Sequence, residues 1–143
     1  MAPPSVLLAG PRALRLTVLA AVLRSMPDVV MIGHAWDEGS IPACLTPTCP
    51  DAVVVDWGED PMTTYNLTAA VRRRRCGAAL IRIGPDPEPC ELLSHRALAI
   101  NGYLSWLDVD PDTLRASIAA ALNNQFGPPA VPLPRYLSPR CSA

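Results

Sequence analysis

Short apolar runs alternate with helical segments along this chain, and the alternation constrains the fold more than any other feature. The apolar runs predict five strands, at residues 5–9, 28–35, 52–56, 78–83 and 102–105. Helices are predicted between and after them, at residues 12–26, 62–75, 88–99 and 111–125, with a short or irregular helix at 38–45. Strands that alternate with helices favour βα units around a parallel sheet.

The strand runs are apolar throughout, as expected when helices cover both faces of a sheet. We therefore predict an α/β fold of the flavodoxin-like, doubly wound type, with a five-stranded parallel sheet in the order 2-1-3-4-5. In such sheets the chemistry lies at the carboxyl ends of the strands. Here those ends are Gly10-Pro11, Asp56, Gly84 and the stretch after Ser105.

Length and composition exclude several classes of protein. The chain has 143 residues, the length of one domain, and it is 50% hydrophobic and 17% charged, which excludes a disordered chain. No apolar stretch reaches about 18 residues, and the first residues lack the features of a signal peptide, so we expect a cytoplasmic protein. A net charge of −1 argues against direct binding of nucleic acid.

Cysteine and histidine patterns give no sign of a metal or disulfide site. The five cysteines are odd in number and come without a secretion signal, so free thiols are expected. Cys44 and Cys49 are too far apart for a zinc knuckle, and His34 and His95 are isolated. No nucleophile, base and oxyanion site occur together, so the chain is not expected to be an enzyme.

Four consecutive arginines, at residues 72–75, form the strongest local charge signal. One interpretation is a patch for phosphate or nucleic acid. However, four consecutive residues wrap a whole helical turn and so do not share one face. We therefore interpret the run as the charged last turn of a helix, where cations interact favourably with the helix dipole.

Several segments match the elements of one family in order. Residues 6–9 match its first strand, 26–33 the link into its second strand, 50–56 its third strand and 101–104 its fifth. With these segments the chain resembles the receiver domain of bacterial response regulators, closest to the NarL/LuxR type with its CheY-like fold. Segment 135–140 is similar to the stretch that follows the receiver in that family, ahead of the DNA-binding helices.

The resemblance implies a receiver-like domain at residues 1–126, followed by a Pro-rich tail or linker at 127–143. A stiff, polyproline-like tail is the favoured interpretation of the latter, with docking to a proline-recognising partner as the alternative. Within the domain, the resemblance implies that Asp56 is equivalent to the phosphoacceptor and that Tyr103 is the switch aromatic. The chain is either a stand-alone receiver or the front of a longer regulator.

Four other positions of the phosphorylation site depart from the family. In the family two acidic residues hold Mg²⁺, and their positions are occupied here by Gly10 and Pro11. The position of the family's hydroxyl residue is occupied by Gly84, and that of its lysine by Trp106. Phosphoryl transfer needs cations to neutralise charge on the phosphoryl oxygens, and Mg²⁺ prefers carboxylate ligands. We therefore expect weak or absent Mg²⁺ binding, no other cofactor, and no efficient phosphorylation of Asp56.

Three further side chains bear on this vacated pocket. Arg12 begins the first predicted helix, and one hypothesis is that it pairs with Asp56 as a fixed substitute for the metal; the alternative is a solvated Arg12. A second hypothesis is that Trp106 fills the pocket and holds Tyr103 in one rotamer; the alternative is a tryptophan partly exposed on the surface. Arg82 stands inside an apolar run, so it must either extend to the strand end or meet a carboxylate such as Asp56.

These features predict an atypical receiver, a pseudo-receiver that regulates signalling or transcription by association rather than by phosphorylation. The resemblance implies a homodimer, and the alanine-rich final helix, with Ala116, Ala119, Ala120 and Ala121, is one candidate surface for it. The alternative is that these alanines face a neighbouring helix or solvent. A DNA-binding output domain or another regulator protein is a further candidate partner. Two alternatives stay open: a conventional receiver phosphorylated on Asp56, and a domain that binds a small molecule in the vacated pocket.

Overall fold

The computed structural model describes residues 2–45, 49–57, 61–74, 76–85 and 98–123. The predicted helix at 88–99 and the tail at 127–143 lie wholly or mostly outside these residues. The strands are β1 (Ser5–Ala9), β2 (Val30–Ala35), β3 (Ala52–Asp56), β4 (Ala79–Ile83) and β5 (Gly102–Leu104). The helices are α1 (Leu14–Ser25), α2 (Ile41–Cys44), α3 (Pro61–Arg73) and α4 (Pro111–Asn123), with 3₁₀ turns at Glu38–Ser40 and Trp106–Asp108.

The five strands form one parallel sheet in the order β2-β1-β3-β4-β5. This arrangement confirms the predicted fold class and strand order. It puts β1, β3 and β4 in the interior of the sheet, with β2 and β5 at its edges. The carboxyl ends of β1, β3 and β4 therefore lie side by side, which brings Gly10, Asp56 and Gly84 to one place.

Successive residues of the inner strands enter two separate hydrophobic cores, because side chains alternate between the faces of a strand. One core lies between the sheet and helices α1 and α4, and it includes Val6, Leu8, Val54, Leu19 and Ile118. The other core lies on the opposite face, against α2 and α3, and it includes Leu7, Val53, Val55, Ile41 and Leu67. Burial on both faces explains why these runs are apolar throughout.

A capping side chain marks the start of α4 but not that of α1. α1 begins at Leu14, two residues later than predicted, after Ala13 in an extended conformation (φ −141°). α4 begins at the predicted place, because the Asp110 carboxylate accepts a hydrogen bond of 2.8 Å from the Thr113 amide. The hydrogen bonds from Thr113 also lower the pKa of Asp110. No helix in the described part of the chain is both long and apolar enough to cross a membrane.

A disulfide joins Cys49 to Cys76, so the expectation of free thiols is wrong for these two residues. Neighbouring strands explain the pairing. β3 and β4 pair Ala52 with Ala79, an offset of 27 residues, and the cysteines are also separated by 27 residues. The same register therefore brings the cysteines together just before the two strands, with their Cα atoms 5.7 Å apart. Cys44 is a free, partly buried thiol, and burial raises its pKa.

Arg72 binds four backbone carbonyls from two segments. Its Nε donates to Leu98 O (2.8 Å), its Nη1 to Cys76 O (3.0 Å) and Ala78 O (2.9 Å), and its Nη2 to Ala99 O (2.9 Å). These bonds tie the end of α3 to the start of β4 and to the turn before β5. Burial lowers the pKa of Arg72. Ala99 lies at φ 55°, in the left-handed region, so this contact holds a strained turn.

The arginine run therefore divides among different surroundings, as expected when consecutive residues point around a helix. Arg72 points inward to the carbonyls, whereas Arg73 forms an exposed ion pair of 2.9 Å with Glu38. Arg74 is exposed, and Arg75 lies outside the described residues. The interpretation as the charged last turn of a helix is confirmed for Arg72 and Arg73, which lie in the last turn of α3. What the interpretation missed is that Arg72 also binds the carbonyls of neighbouring segments.

We predict that Arg72→Met lowers the free energy of unfolding by about 2–4 kcal/mol, because several part-buried carbonyls lose a charged donor. Arg74→Met is the matched control. It makes the same change at an exposed position two residues away, and it should shift stability by less than about 0.5 kcal/mol. Urea unfolding of both variants measures the difference. Equal stability of the two variants would contradict the role given to Arg72.

Candidate functional site

The candidate site is built around Asp56, which ends β3 and has a fully buried side chain (0% exposed). Its carboxylate accepts hydrogen bonds on both oxygens. Arg15 donates to Oδ2 through Nε at 2.9 Å and through Nη2 at 2.7 Å. The indole Nε1 of Trp106 donates to Oδ1 at 3.3 Å. A buried carboxylate needs such partners, and here a guanidinium supplies the neutralising charge.

The arginine that pairs with Asp56 is Arg15, which corrects the expectation for Arg12. Because α1 begins at Leu14, Arg15 lies in the first helical turn, from which its side chain reaches the end of β3. Arg12 precedes the helix, and its guanidinium carbon lies 4.1 Å from the centre of the Trp36 ring. The late helix start therefore decides which arginine enters the site.

Trp106 opens the 3₁₀ turn that follows β5 and is partly buried against the core on the α1 side of the sheet. Its contact with Asp56 thus places an aromatic ring where the resemblance implies a lysine. An indole offers a single N–H donor and carries no charge. The position can therefore anchor one carboxylate oxygen, but it cannot neutralise a phosphoryl group.

Thr64 holds the backbone of Asp56 and Thr68 in turn bonds to Thr64, and the sequence analysis predicted neither role. The Thr64 hydroxyl donates to the Asp56 carbonyl at 3.0 Å, and the Thr68 hydroxyl donates to the Thr64 carbonyl at 2.8 Å. Both threonines are buried on α3. The two threonines are four residues apart and so lie on the same face of the helix. Because a buried hydroxyl needs an acceptor, this spacing could have indicated that they bond to nearby backbone carbonyls.

Gly10 has no room for a side chain. Its φ of 150° is a conformation that other residues rarely adopt. A Cβ built there would lie 2.9 Å from both Asp56 Cβ and Leu16 Cδ1. Its amide donates to Ala35 O (2.9 Å), and its carbonyl lies 3.0 Å from His34 Nε2, so the backbone is held in place. An acidic residue cannot replace Gly10 unless this backbone moves.

Gly84 is closed to side chains in a different way. A Cβ built there would overlap the carbonyl oxygen of Trp57, the residue after Asp56. Hydrogen bonds fix both partners, from Trp57 N to Ile83 O at 2.8 Å and from Gly84 N to Leu104 O at 3.0 Å. The hydroxyl residue implied by the resemblance is therefore excluded here by the packing of its neighbour.

Arg82 is buried beside the site, and its partners include a carbonyl and an aromatic ring. Its Nη1 donates to Pro85 O, and its guanidinium carbon lies 5.6 Å from the centre of the Trp57 ring. Tyr103 is its register partner on β5 and is 44% exposed. Burial raises the pKa of the Tyr103 phenol, and the charge of Arg82 opposes that shift.

Comparisons with known proteins find structural rather than sequence relatives. No protein-family profile matches the chain, and no curated protein matches its sequence. Three solved structures of similar fold are a LuxR-family response regulator from an Aurantimonas species, the receiver domain of the putative response regulator NarL from Mycobacterium tuberculosis, and the response regulator RcsB from Salmonella typhimurium.

The similarity extends over most of each chain. The Aurantimonas structure is 19% identical with a TM-score of 0.69, and the match covers 85% of this chain and 86% of that one. The NarL domain is 20% identical with a TM-score of 0.66, and the match covers 90% of this chain and 100% of that one. RcsB is 18% identical with a TM-score of 0.67, and the match covers 98% of this chain and 74% of that one. The chain therefore has the receiver-domain fold of response regulators.

The residues present do not fit the Mg²⁺ ion that this fold implies. Gly10 and Pro11 supply no side-chain oxygen, and the contacts at Gly10 leave no space for one. The one family ligand that is kept, Asp56, already accepts from Arg15 and Trp106. The described residues also contain no group of three or more histidine, cysteine or acidic side chains that could hold a metal.

We predict that Gly84→Ser destabilises the fold by about 1–3 kcal/mol, because the new Cβ overlaps the Trp57 carbonyl. Gly77→Ser is the control, since a Cβ at Gly77 meets nothing within 4 Å. That variant should keep the stability of the natural chain or exceed it slightly. Thermal unfolding compares the two, and a Gly84→Ser protein of undiminished stability would contradict the packing argument.

We also predict strong coupling between Arg15 and Asp56. Arg15→Ala leaves a buried carboxylate without its cation and should cost about 3 kcal/mol or more. Adding Asp56→Asn removes that charge, so the double variant should recover much of the loss. A double-mutant cycle by urea unfolding measures this coupling energy. Simple additivity of the two single changes would show that the ion pair contributes nothing.

Proposed function

We propose that this chain is an atypical receiver, a regulatory interaction module of two-component type that works without aspartyl phosphate. The observation that carries the proposal is the occupied carboxylate of Asp56, with Arg15 on one oxygen and Trp106 on the other. In this proposal the chain is not an enzyme, and it acts in the cytoplasm through its surface.

The contacts of Asp56 oppose phosphorylation at the chemical step. An acyl phosphate forms when a carboxylate oxygen attacks phosphorus, so that oxygen needs a path for the phosphoryl donor, and each hydrogen bond that it accepts lowers its nucleophilicity. Both oxygens of Asp56 already accept hydrogen bonds, and its side chain is fully buried. The charge on the phosphoryl oxygens also needs cations, and the single guanidinium of Arg15 is already committed to the carboxylate.

The departures from the family also oppose the step that would couple phosphorylation of Asp56 to a change in conformation. In the resembled family a hydroxyl residue moves toward the phosphate, and the switch aromatic follows. Gly84 has neither a hydroxyl nor space for one. Tyr103 is left without the group that would move it, so we infer that the chain stays in one phosphate-blind state. Its output then depends on association, with a second copy, an output domain or another regulator protein.

The proposal predicts that neither Mg²⁺ nor beryllofluoride, a phosphoryl mimic, binds at Asp56. Amide NMR spectra of the full chain are recorded at millimolar Mg²⁺, with and without beryllofluoride. We expect no saturable shifts at Gly84, Tyr103 or Asp56. Asp56→Asn is the control, because it removes the carboxylate that the mimic needs.

Saturable shifts in the natural chain that disappear in Asp56→Asn would sink the proposal and restore a conventional phosphorylated receiver. Arg15→Gln sharpens the test, because it removes the positive charge that pairs with Asp56 while keeping a polar side chain. If beryllofluoride shifts only the Arg15→Gln spectrum, Arg15 is what blocks the natural site. If it shifts neither, Trp106, Gly10 and Gly84 are sufficient to exclude it.

A further inference from the structure

A hollow opens between the end of β2 and the start of α1. It encloses about 450 Å³, and its lining residues come from these two segments: Arg12, Ala13, Leu14, Thr17, His34 and Trp36. This volume lies within the range of small-molecule sites in proteins, about 300–1,000 Å³. Most of the atoms that line it are polar. The hollow therefore suits a small polar ligand, and we call it the Trp36 hollow.

The Trp36 side chain forms a fixed wall of this hollow. Its ring meets the His34 ring edge to face, with the ring centres 6.2 Å apart. His34 is held in turn by the Gly10 carbonyl, which lies 3.0 Å from its Nε2. A carbonyl can only accept, so Nε2 carries the proton and donates. Trp36 itself is 41% exposed, so part of its ring stays open to a ligand.

The Arg12 guanidinium is held over the same ring. Its central carbon lies 4.1 Å from the centre of the Trp36 ring, which is the geometry of a cation–π contact. Contact with an aromatic face positions a guanidinium without using its five N–H donors, because a ring face is not a hydrogen-bond partner for all of them. Arg12 is therefore both positioned and able to donate.

The positive charge of Arg12 is not balanced within the described part of the chain. None of the ion pairs seen there involves Arg12, and no acidic side chain among the described residues lines the hollow. The two acidic residues that follow Trp36 have other partners. Asp37 accepts from the Ser40 amide at 2.8 Å, and Glu38 forms the ion pair with Arg73. The hollow therefore favours an anion.

We propose that the Trp36 hollow binds a small organic molecule through a phosphate or carboxylate group, which Arg12 holds. Two oxygens of either group match the fork of a guanidinium and accept two parallel hydrogen bonds. The exposed Thr17 hydroxyl supplies a third donor, and its present bond to the Ala13 carbonyl is long, at 3.4 Å. An inorganic anion would leave much of the hollow empty, so the rest of the ligand lies against Trp36 and Leu14.

This site differs from the vacated pocket at Asp56, in which the sequence analysis placed its small-molecule alternative. There Arg15 and Trp106 already bind the carboxylate. In the Trp36 hollow the cation still lacks an anionic partner among the described residues. The inference goes beyond the proposed function and does not depend on it, because the hollow involves neither Asp56 nor Trp106.

The test titrates the full chain with two matched pairs of compounds and records amide and indole NMR spectra. One pair is adenosine monophosphate and adenosine, and the other is benzoate and benzamide. Each pair shares an aromatic body and differs in the anionic group, so the pairs separate phosphate from carboxylate recognition. We expect at least one anion to give saturable shifts at Thr17, His34 and the Trp36 indole at millimolar concentration. Its neutral partner should bind at least about tenfold more weakly.

Arg12→Gln should raise the dissociation constant of that anion about tenfold or more, because it removes the charge and the paired donors. Arg24→Gln is the matched control, since it makes the same change at an exposed arginine in the last turn of α1. It should leave the dissociation constant unchanged. Trp36→Leu is a second test that does not depend on the folding of Arg12→Gln, and it should also weaken binding.

Several results would overturn the proposal. They are the absence of saturable shifts with either anion, equal binding of the neutral partners, and unchanged binding by Arg12→Gln or an equal loss in Arg24→Gln. Inorganic phosphate that binds as tightly as the organic anions would overturn the assignment of an organic ligand. Shifts at the Trp106 indole instead of the Trp36 indole would place the ligand at Asp56. None of these titrations uses Mg²⁺ or beryllofluoride, so they fail or succeed independently of the phosphate-blind proposal.

Discussion

The buried ion pair between Arg15 and Asp56 is the interaction on which the rest of the site depends. A carboxylate with no exposed surface at the end of a central strand cannot stay charged without a cation. In ordinary receivers a reversibly bound metal ion is expected to neutralise the carboxylate. Here a side chain of the fold meets it, so neutralisation of Asp56 is coupled to folding rather than to a signal. A site that is already neutralised has little electrostatic attraction left for a divalent cation.

The two glycines show that two departures from the resembled phosphorylation site are built into the backbone. Gly10 is held at positive φ against Asp56, and Gly84 is packed against the Trp57 carbonyl. A single substitution that restores an acid or a hydroxyl therefore meets a steric barrier as well as a chemical one. The main chain around Asp56 is packed so closely at Gly10 and Gly84 that only glycine fits at either position without a shift of the backbone.

The sequence predicts the fold well, because its signal is the alternation of apolar runs and helices, which the parallel sheet requires. It predicts the site less well, because the site depends on helix phase and strand register. Arg12 and Arg15 differ only in where α1 begins, and no N-capping side chain marks that point. The Cys49–Cys76 disulfide follows from the register of β3 and β4, which is visible only after the strands are aligned.

The first turn of α1 links the fold to the site. Leu14 and Arg15 are consecutive, so one points out to solvent while the other points in to Asp56. The ion pair holds this turn against the end of β3. The residue at which α1 begins therefore decides which arginine neutralises the buried carboxylate, and through it how far the site departs from the metal-binding arrangement that the resemblance implies.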